Sequence, residues 1–218
     1  EKQFAKYPWC QRAIRGIFEE VRKRRIHVQE VSELPGGAEE RSCVLLVGAS
    51  EEWINQTARE AGSLGLHPVV LSNRETNSSG LSVSSVKMDI HSSMELAVDY
   101  LRTLGRERLA LFGVNPSASS DLWRARRFGE LTGREGDVFF LGSSVNEIFD
   151  QFYEKIYRYD GVICASDYAA VSLVGRLREK NYAIPEKLYV VGYGDMFLSR
   201  LFRPSITSIS DDYESFGK

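Results

Sequence analysis

Apolar positions along the chain fall into two recurring patterns: short β-branched runs, and longer stretches with helical spacing. Ala13, Ile14, Ile17, Phe18 and Val21 recur at helical spacing between charged residues and predict a helix over about Trp9–Arg25. Cys43–Val47 is a continuous apolar run ended by Gly48, which predicts a strand buried on both faces of a parallel sheet. A helix over Glu51–Gly62 follows, with Ser50 as its N-cap, then a strand over Pro68–Leu71, a polar loop over Glu75–Gly80 and a short strand over Val83–Met88. The cycle repeats. Helices are expected over Met94–Leu104, Leu122–Leu131, Val145–Tyr157 and Tyr168–Lys180. Strands are expected over Leu109–Phe112, Val138–Leu141, Gly161–Cys164 and Leu188–Val191, with Gly113 and Gly192 ending the first and last, and Ser205–Ser210 reads as extended.

This alternation predicts an α/β fold with parallel sheets and right-handed crossovers. Such folds bind ligands outside the carboxyl ends of the strands. The residues at those places are small and polar: Ser50, Asn73, Asn115, Ser143, Ser144, Ser166, Asp167, Gly194 and Asp195. They suit hydrogen bonding to hydroxyls or amides better than acid–base chemistry. For each taken singly, the competing reading is that it caps the following helix. Together they favour a polar binding cleft.

Composition narrows the function. The 218 residues allow one large or two small domains. Lys plus Arg total 28 against 30 Asp plus Glu, a net charge of −2, which excludes coating nucleic acid by charge alone. No run approaches the ~18 apolar residues of a membrane helix, and no secretion leader is visible. Cys10, Cys43 and Cys164 are widely spaced and the three histidines isolated, so neither a disulfide framework nor a metal site is expected, and a reducing compartment is. Nucleotide cradles of the Gly-x-Gly-x-x-Gly and phosphate-loop types are absent, as are the Gly-x-Ser-x-Gly elbow and His-Glu-x-x-His. No cofactor and no catalytic residue is expected. The basic run Arg22–Arg25 reads as a solvated helix end.

Several segments together resemble one family. Ala165-Ser166-Asp167 before an amphipathic helix, Ile184-Pro185-Glu186, Tyr189-Val190-Val191-Gly192-Tyr193 and Arg203-Pro204-Ser205-Ile206-Thr207-Ser208-Ile209 are similar, in order and spacing, to a series in the effector domain of the LacI/GalR family. Ala97 to Ala110 resembles its helix–strand unit around Leu-Gly-His. Tyr7-Pro8-Trp9-Cys10 with Ile14-Arg15-Gly16-Ile17 resembles its start. The resemblance implies two Rossmann-like lobes with parallel sheets, the periplasmic-binding-protein type I fold, with a small effector in the cleft between them. Residues 1–90 would form the N-terminal lobe without its first strand, 91–208 the C-terminal lobe, and 209–218 a truncated return to the first. It also implies a homodimer, a cytoplasmic location, no membrane association, and operator DNA as a partner through a helix-turn-helix not present in this chain. The effector expected is a sugar, with a purine also possible.

Carried over residue by residue, the resemblance places Trp9 as a cleft aromatic suited to stacking on a sugar ring or base, against a competing role as a core or hinge aromatic. Asn73 stands where members often have Asp. Arg126, in Arg126-x-x-Gly129, matches the ligand-contacting arginine, whose fork clamps vicinal hydroxyls or a carboxylate; the competing reading is an exposed helix arginine. Ser166 replaces a common Asn, leaving Asp167 as the expected helix cap. Gly194 stands where an effector-contacting Asp is usual, and Asp195 is the candidate replacement. Ser50 and Ser144 complete the expected ligand-binding set. The alternative function is an extracytoplasmic solute-binding protein of a transporter or sensor. An enzyme on this scaffold is disfavoured because no nucleophile is placed beside a base.

Overall fold

The computed structural model describes residues 1–2, 5–34, 42–48, 50–72, 83–87, 89–142 and 145–218, the side chains of 90, 91, 145 and 146 excepted. In chain order the elements are α1 (Pro8–Lys23), β1 (Cys43–Val47), α2 (Glu51–Ser63), β2 (His67–Leu71), β3 (Ser84–Val86), α3 (Ile90–Thr103), β4 (Leu109–Val114), α4 (Ser119–Thr132) and β5 (Val138–Phe140). They continue with α5 (Val145–Glu154), β6 (Gly161–Cys164), α6 (Asp167–Glu179), β7 (Tyr189–Tyr193), α7 (Phe197–Leu201), β8 (Thr207–Ile209) and α8 (Tyr213–Phe216). The chain divides into two α/β units, Glu1–Met88 with Asp212–Lys218, and Asp89–Asp211.

The first unit carries a parallel sheet in the order β1-β2-β3. Pro8 opens α1 where its missing N–H costs nothing. Ser50 caps α2 by accepting from the Trp53 amide, and Glu51 and Glu52 complement the helix dipole. Ile54 and Ala58 of α2 bury Leu46 and Val70 on one sheet face. The expectation that β1 is buried on both faces is corrected here: Cys43 is exposed and Leu45 is 39% exposed. In the same unit α1 packs against α8. That packing is close enough that a Cβ on Gly16 would lie 2.0 Å from the Glu214 carbonyl oxygen.

The second unit holds five parallel strands in the order β5-β4-β6-β7-β8. All residues of β4 and β6 are buried, because helices cover both faces. On one face Phe112, Phe139, Val162 and Cys164 pack on Phe149 and Phe152 of α5 and Leu173 and Leu177 of α6. On the other, Leu109, Leu111, Ile163 and Val191 pack on Met94, Val98 and Leu101 of α3 and Phe128 of α4. Gly113 does not end β4, as the sequence suggested. It adopts φ +83° inside the strand and shifts its register, so that Val114 faces the same side as Leu111. A Cβ there would meet the Ala169 Cβ at 2.7 Å. β7 likewise continues through Gly192 to Tyr193, and α7 is a short helix that periodicity did not reveal.

Candidate ligand site at the strand ends of the second unit

The strand order reverses beside β4: the chain leaves it for β5 and returns on its other side as β6. At such a switch point the loops after the two central strands diverge and leave a crevice. The loop after β4 is pinned by its own polar groups. The Asn115 amide donates to Asp121 Oδ2 at 3.0 Å, and Asn115 Oδ1 accepts from the Ser117 amide at 2.9 Å. This turn delivers α4, whose N-cap is Ala118 and which therefore has no side-chain cap.

Two arginines of α4 do different work. Arg126 faces outward and, with Ser119, Leu122 and Trp123, lines a cavity of 210 Å³. Its guanidinium lies over the Trp123 ring, 5.7 Å from the centroid, and its Nε donates to Glu130 at 3.1 Å. Arg124 is 6% exposed. It donates to Asp121 at 3.0 Å and to Asp211 at 2.8 Å, and its plane rests 4.2 Å from the Tyr193 ring centroid. It thus ties α4 to the ends of β7 and β8. Burial pushes the Tyr193 hydroxyl above its usual range, opposed by the Arg124 charge. Reading the sequence for ligand contacts missed Arg124. Its spacing was the available signal: Arg124, Phe128 and Leu131 recur at i, i+4 and i+7, and all three turn inward.

After β6, Ser166 is the N-cap of α6 and accepts from the Ala169 amide at 3.2 Å. This corrects the expectation for Asp167, which is the first helical residue and is fully buried. Its two oxygens accept from the Met196 amide and from Ser208 Oγ, each at 2.6 Å, and Ser208 Oγ accepts from the Asp195 amide at 2.9 Å. One carboxylate therefore holds the turn after β7 against β8. Gly192 leaves the room for it, since a Cβ there would sit 2.2 Å from Asp167 Oδ1. In the turn itself Gly194 has φ +110° and Asp195 φ +47°. Arg200 engages both carboxylate oxygens of Asp195.

The sequence-predicted residues are thus distributed unevenly. Arg126 lines the cavity, while Ser166 and Asp195 belong to the hydrogen-bonded framework at neighbouring strand ends. Trp9 and Ser50 lie in the first unit. Ser50 serves as a helix cap, and Trp9 packs against Tyr213, with ring centroids 6.2 Å apart. Asn73, Ser143 and Ser144 lie outside the described residues. Trp123 was not anticipated. Among the described residues no cluster of three or more His, Cys, Asp or Glu could hold a metal ion, and no helix is long and apolar enough to cross a membrane. All three cysteines are free, and burial raises the Cys164 thiol far above its normal range, so it stays protonated.

Residues 98–218 match the periplasmic binding protein-like domain family. A stretch of 86 residues is 37% identical to the HTH-type transcriptional regulator RegA of Clostridium saccharobutylicum. It covers 39% of this chain and 22% of that protein, so the matched region spans about a fifth of the relative's length. Among solved structures, a LacI family transcriptional regulator from Enterococcus faecalis V583 with bound ribose has a TM-score of 0.71 at 20% identity, over 98% of this chain and 83% of that one. A LacI family regulator from Lactobacillus casei with bound sucrose has a TM-score of 0.67 at 16% identity, over 98% and 84%. At these identities the two structures establish a shared fold.

Proposed function

This chain belongs to the periplasmic binding protein-like domain family, and from that premise we propose that it is the effector-binding domain of a LacI-type transcriptional regulator. In this reading the domain binds a small molecule of the sugar class at the carboxyl ends of its strands, and binding alters affinity for operator DNA. The DNA contact is made by a helix-turn-helix outside this sequence, and the protein works in the cytoplasm as a homodimer rather than as an enzyme. Its two lobes correspond to the two units, Glu1–Met88 with Asp212–Lys218 and Asp89–Asp211. The observation that carries the reading is the family match over residues 98–218, the region that also holds the Trp123–Arg126 cavity. The printed names of the relatives, which are transcriptional regulators, support the DNA-linked role. Ribose and sucrose in the two structural neighbours support a sugar ligand. The homodimer is supported by exposed apolar side chains on adjoining helices: Tyr168 on α6, and Phe197 and Leu201 on α7.

The mechanism follows from linkage. An effector shifts operator affinity only by binding one conformation of the protein more tightly than another. Arg124 and Asp167 make the strand-end framework stiff enough to transmit such a difference, because each ties together elements distant in sequence through buried charged hydrogen bonds. The test is to select bound sequences from a random duplex DNA pool with the full-length protein. A two-fold symmetric site whose affinity changes on adding a sugar is the expected result. Failure to enrich any DNA would remove the regulator reading.

A further inference from the structure

The second unit has another cavity at the opposite end of its sheet. The loop that joins the last turn of α6 to the start of β7 lies at the amino ends of the strands, whereas α4 leaves their carboxyl ends. There a cavity of 360 Å³ is lined by buried Val174, half-buried Tyr182 and Ile184, and Pro204. That volume is in the range of small-molecule sites, about 300–1,000 Å³. Its frame is fixed by hydrogen bonds. Asn181 takes φ +55° and ends α6, and the Tyr182 amide donates back to the Leu177 carbonyl at 2.9 Å. The Lys187 amide donates to the Ala183 carbonyl at 3.1 Å, and the Arg106 fork donates to the carbonyls of Pro185 and Glu186 at 3.3 and 3.2 Å. Just before Pro204, Arg203 Nη1 donates to the carbonyls of Arg200, Leu201 and Phe202.

Two charged side chains line this cavity, and the fold uses neither. Elsewhere in the unit Arg106, Arg108, Arg124, Arg134 and Arg200 each hold a carboxylate or a carbonyl. Among the described residues the Arg178 guanidinium has no hydrogen bond and no ion pair, and it rests 5.7 Å from the Phe202 ring centroid. The Glu186 carboxylate likewise has no partner among them, although its backbone carbonyl serves Arg106. Arg178 and Glu186 therefore present opposite charges to one cavity without bridging to each other. An anion would gain at Arg178 and lose at Glu186, a cation would do the reverse, and a neutral ligand would meet neither charge. A small molecule carrying both charges meets both. We propose that this cavity is a second ligand site, one for a zwitterionic α-amino acid with an apolar side chain. Its carboxylate meets the planar fork of Arg178, its ammonium meets Glu186, and its side chain packs on Val174, Ile184 and the Tyr182 ring. The site is separate from the Trp123–Arg126 cavity, so it stands apart from the effector-binding reading.

The test is calorimetric titration of the full-length protein, at fixed low ionic strength, with leucine, phenylalanine, glycine, leucinamide and N-acetyl-leucine. Leucinamide lacks the carboxylate, N-acetyl-leucine lacks the ammonium, and glycine lacks the apolar side chain. Leucine or phenylalanine is expected to bind, and leucine about fivefold or more tighter than each of the other three, a value between an exposed ion pair and a charge-assisted hydrogen bond. Arg178→Gln should abolish the preference for leucine over leucinamide, and Glu186→Gln the preference over N-acetyl-leucine. Both side chains are exposed, so each variant should keep the urea midpoint of the parent protein. No heat from leucine or phenylalanine at about 10 mM would overturn the proposal. Equal binding of leucine, leucinamide and N-acetyl-leucine would overturn the zwitterion, and glycine binding as tightly as leucine would overturn the apolar component. Preferences that survive both variants would place the amino acid elsewhere and overturn the assignment of this cavity.

Discussion

Replacing Arg124 by Met tests whether the second unit is held together by a buried charge cluster. The side chain is 6% exposed, donates to Asp121 and Asp211, and lies over Tyr193. Met matches the length of the aliphatic stem but removes the charge and the donors. Two effects oppose each other. Removing a guanidinium saves its desolvation cost, but Asp211, itself buried, keeps a negative charge that has lost this partner. The second effect wins in such cases, and breaking a buried pair from one side costs about 3–5 kcal/mol. For a unit of about 120 residues that lowers the melting temperature by roughly 10–20 °C. Asp211→Asn should cost less, because Arg124 retains Asp121. The double variant Arg124→Met/Asp211→Leu should recover part of the loss, since the more deeply buried of the two carboxylates is removed and only Asp121 has lost the guanidinium. The two units give no guarantee of unfolding together, so the assay needs a local reporter. Of the three tryptophans only Trp123 lies in the second unit. In a Trp9→Phe/Trp53→Phe background its fluorescence during urea unfolding reports that unit alone. A loss below about 1 kcal/mol for Arg124→Met, the range of exposed pairs, would refute the claim that the cluster is desolvated.

Gly192→Ala should cost about 1–3 kcal/mol, because its Cβ would meet an Asp167 carboxylate held in place by two hydrogen bonds. Gly175→Ala on α6 is the control. Nothing lies within 4 Å of its added methyl, and the change should stabilise by about 0.4–1 kcal/mol in the same urea assay. Tyr159 donates to buried Asp137 at 2.8 Å, and burial followed by that bond raises its hydroxyl far above the normal value. The folded state therefore favours the protonated phenol. Its contribution to stability should be complete below about pH 10, where free tyrosine titrates, and should decline as pH rises from there towards the raised folded value. Tyr159→Phe should flatten the alkaline part of the urea-midpoint profile; an unchanged slope would show that other groups cause it.

What could be read from the sequence is what depends on neighbours a few residues away. Cys43–Val47 and Gly161–Cys164 form strands over the ranges their apolar runs suggest, and Ser50 stands as a cap where helical periodicity begins. The reading failed where a distant partner decides the outcome. Gly113 resembles a strand end locally, but the sheet carries the chain through it and absorbs it as an irregularity. α7 is too short for its apolar spacing to register. Leu45 belongs to a run that looks buried on both sides, yet it is exposed, because burial on the second face needs a covering element that the run itself does not specify.

The candidate site divides in the same way. The types of residue at the strand ends, and the prominence of Arg126, are properties of the chain. Which arginine is buried and which is free is not, because it depends on Asp211, 87 residues from Arg124. Asp167 looked like a helix cap because local geometry favours one. Tertiary structure gave that role to Ser166 and spent the carboxylate on Met196 and Ser208, 29 and 41 residues away. Hydrophobic period and turn chemistry act over single turns and pairs of residues, and they determine the elements. A buried charge is stable only where folding brings a partner to it, so the use of each carboxylate and guanidinium is decided by the assembled sheet.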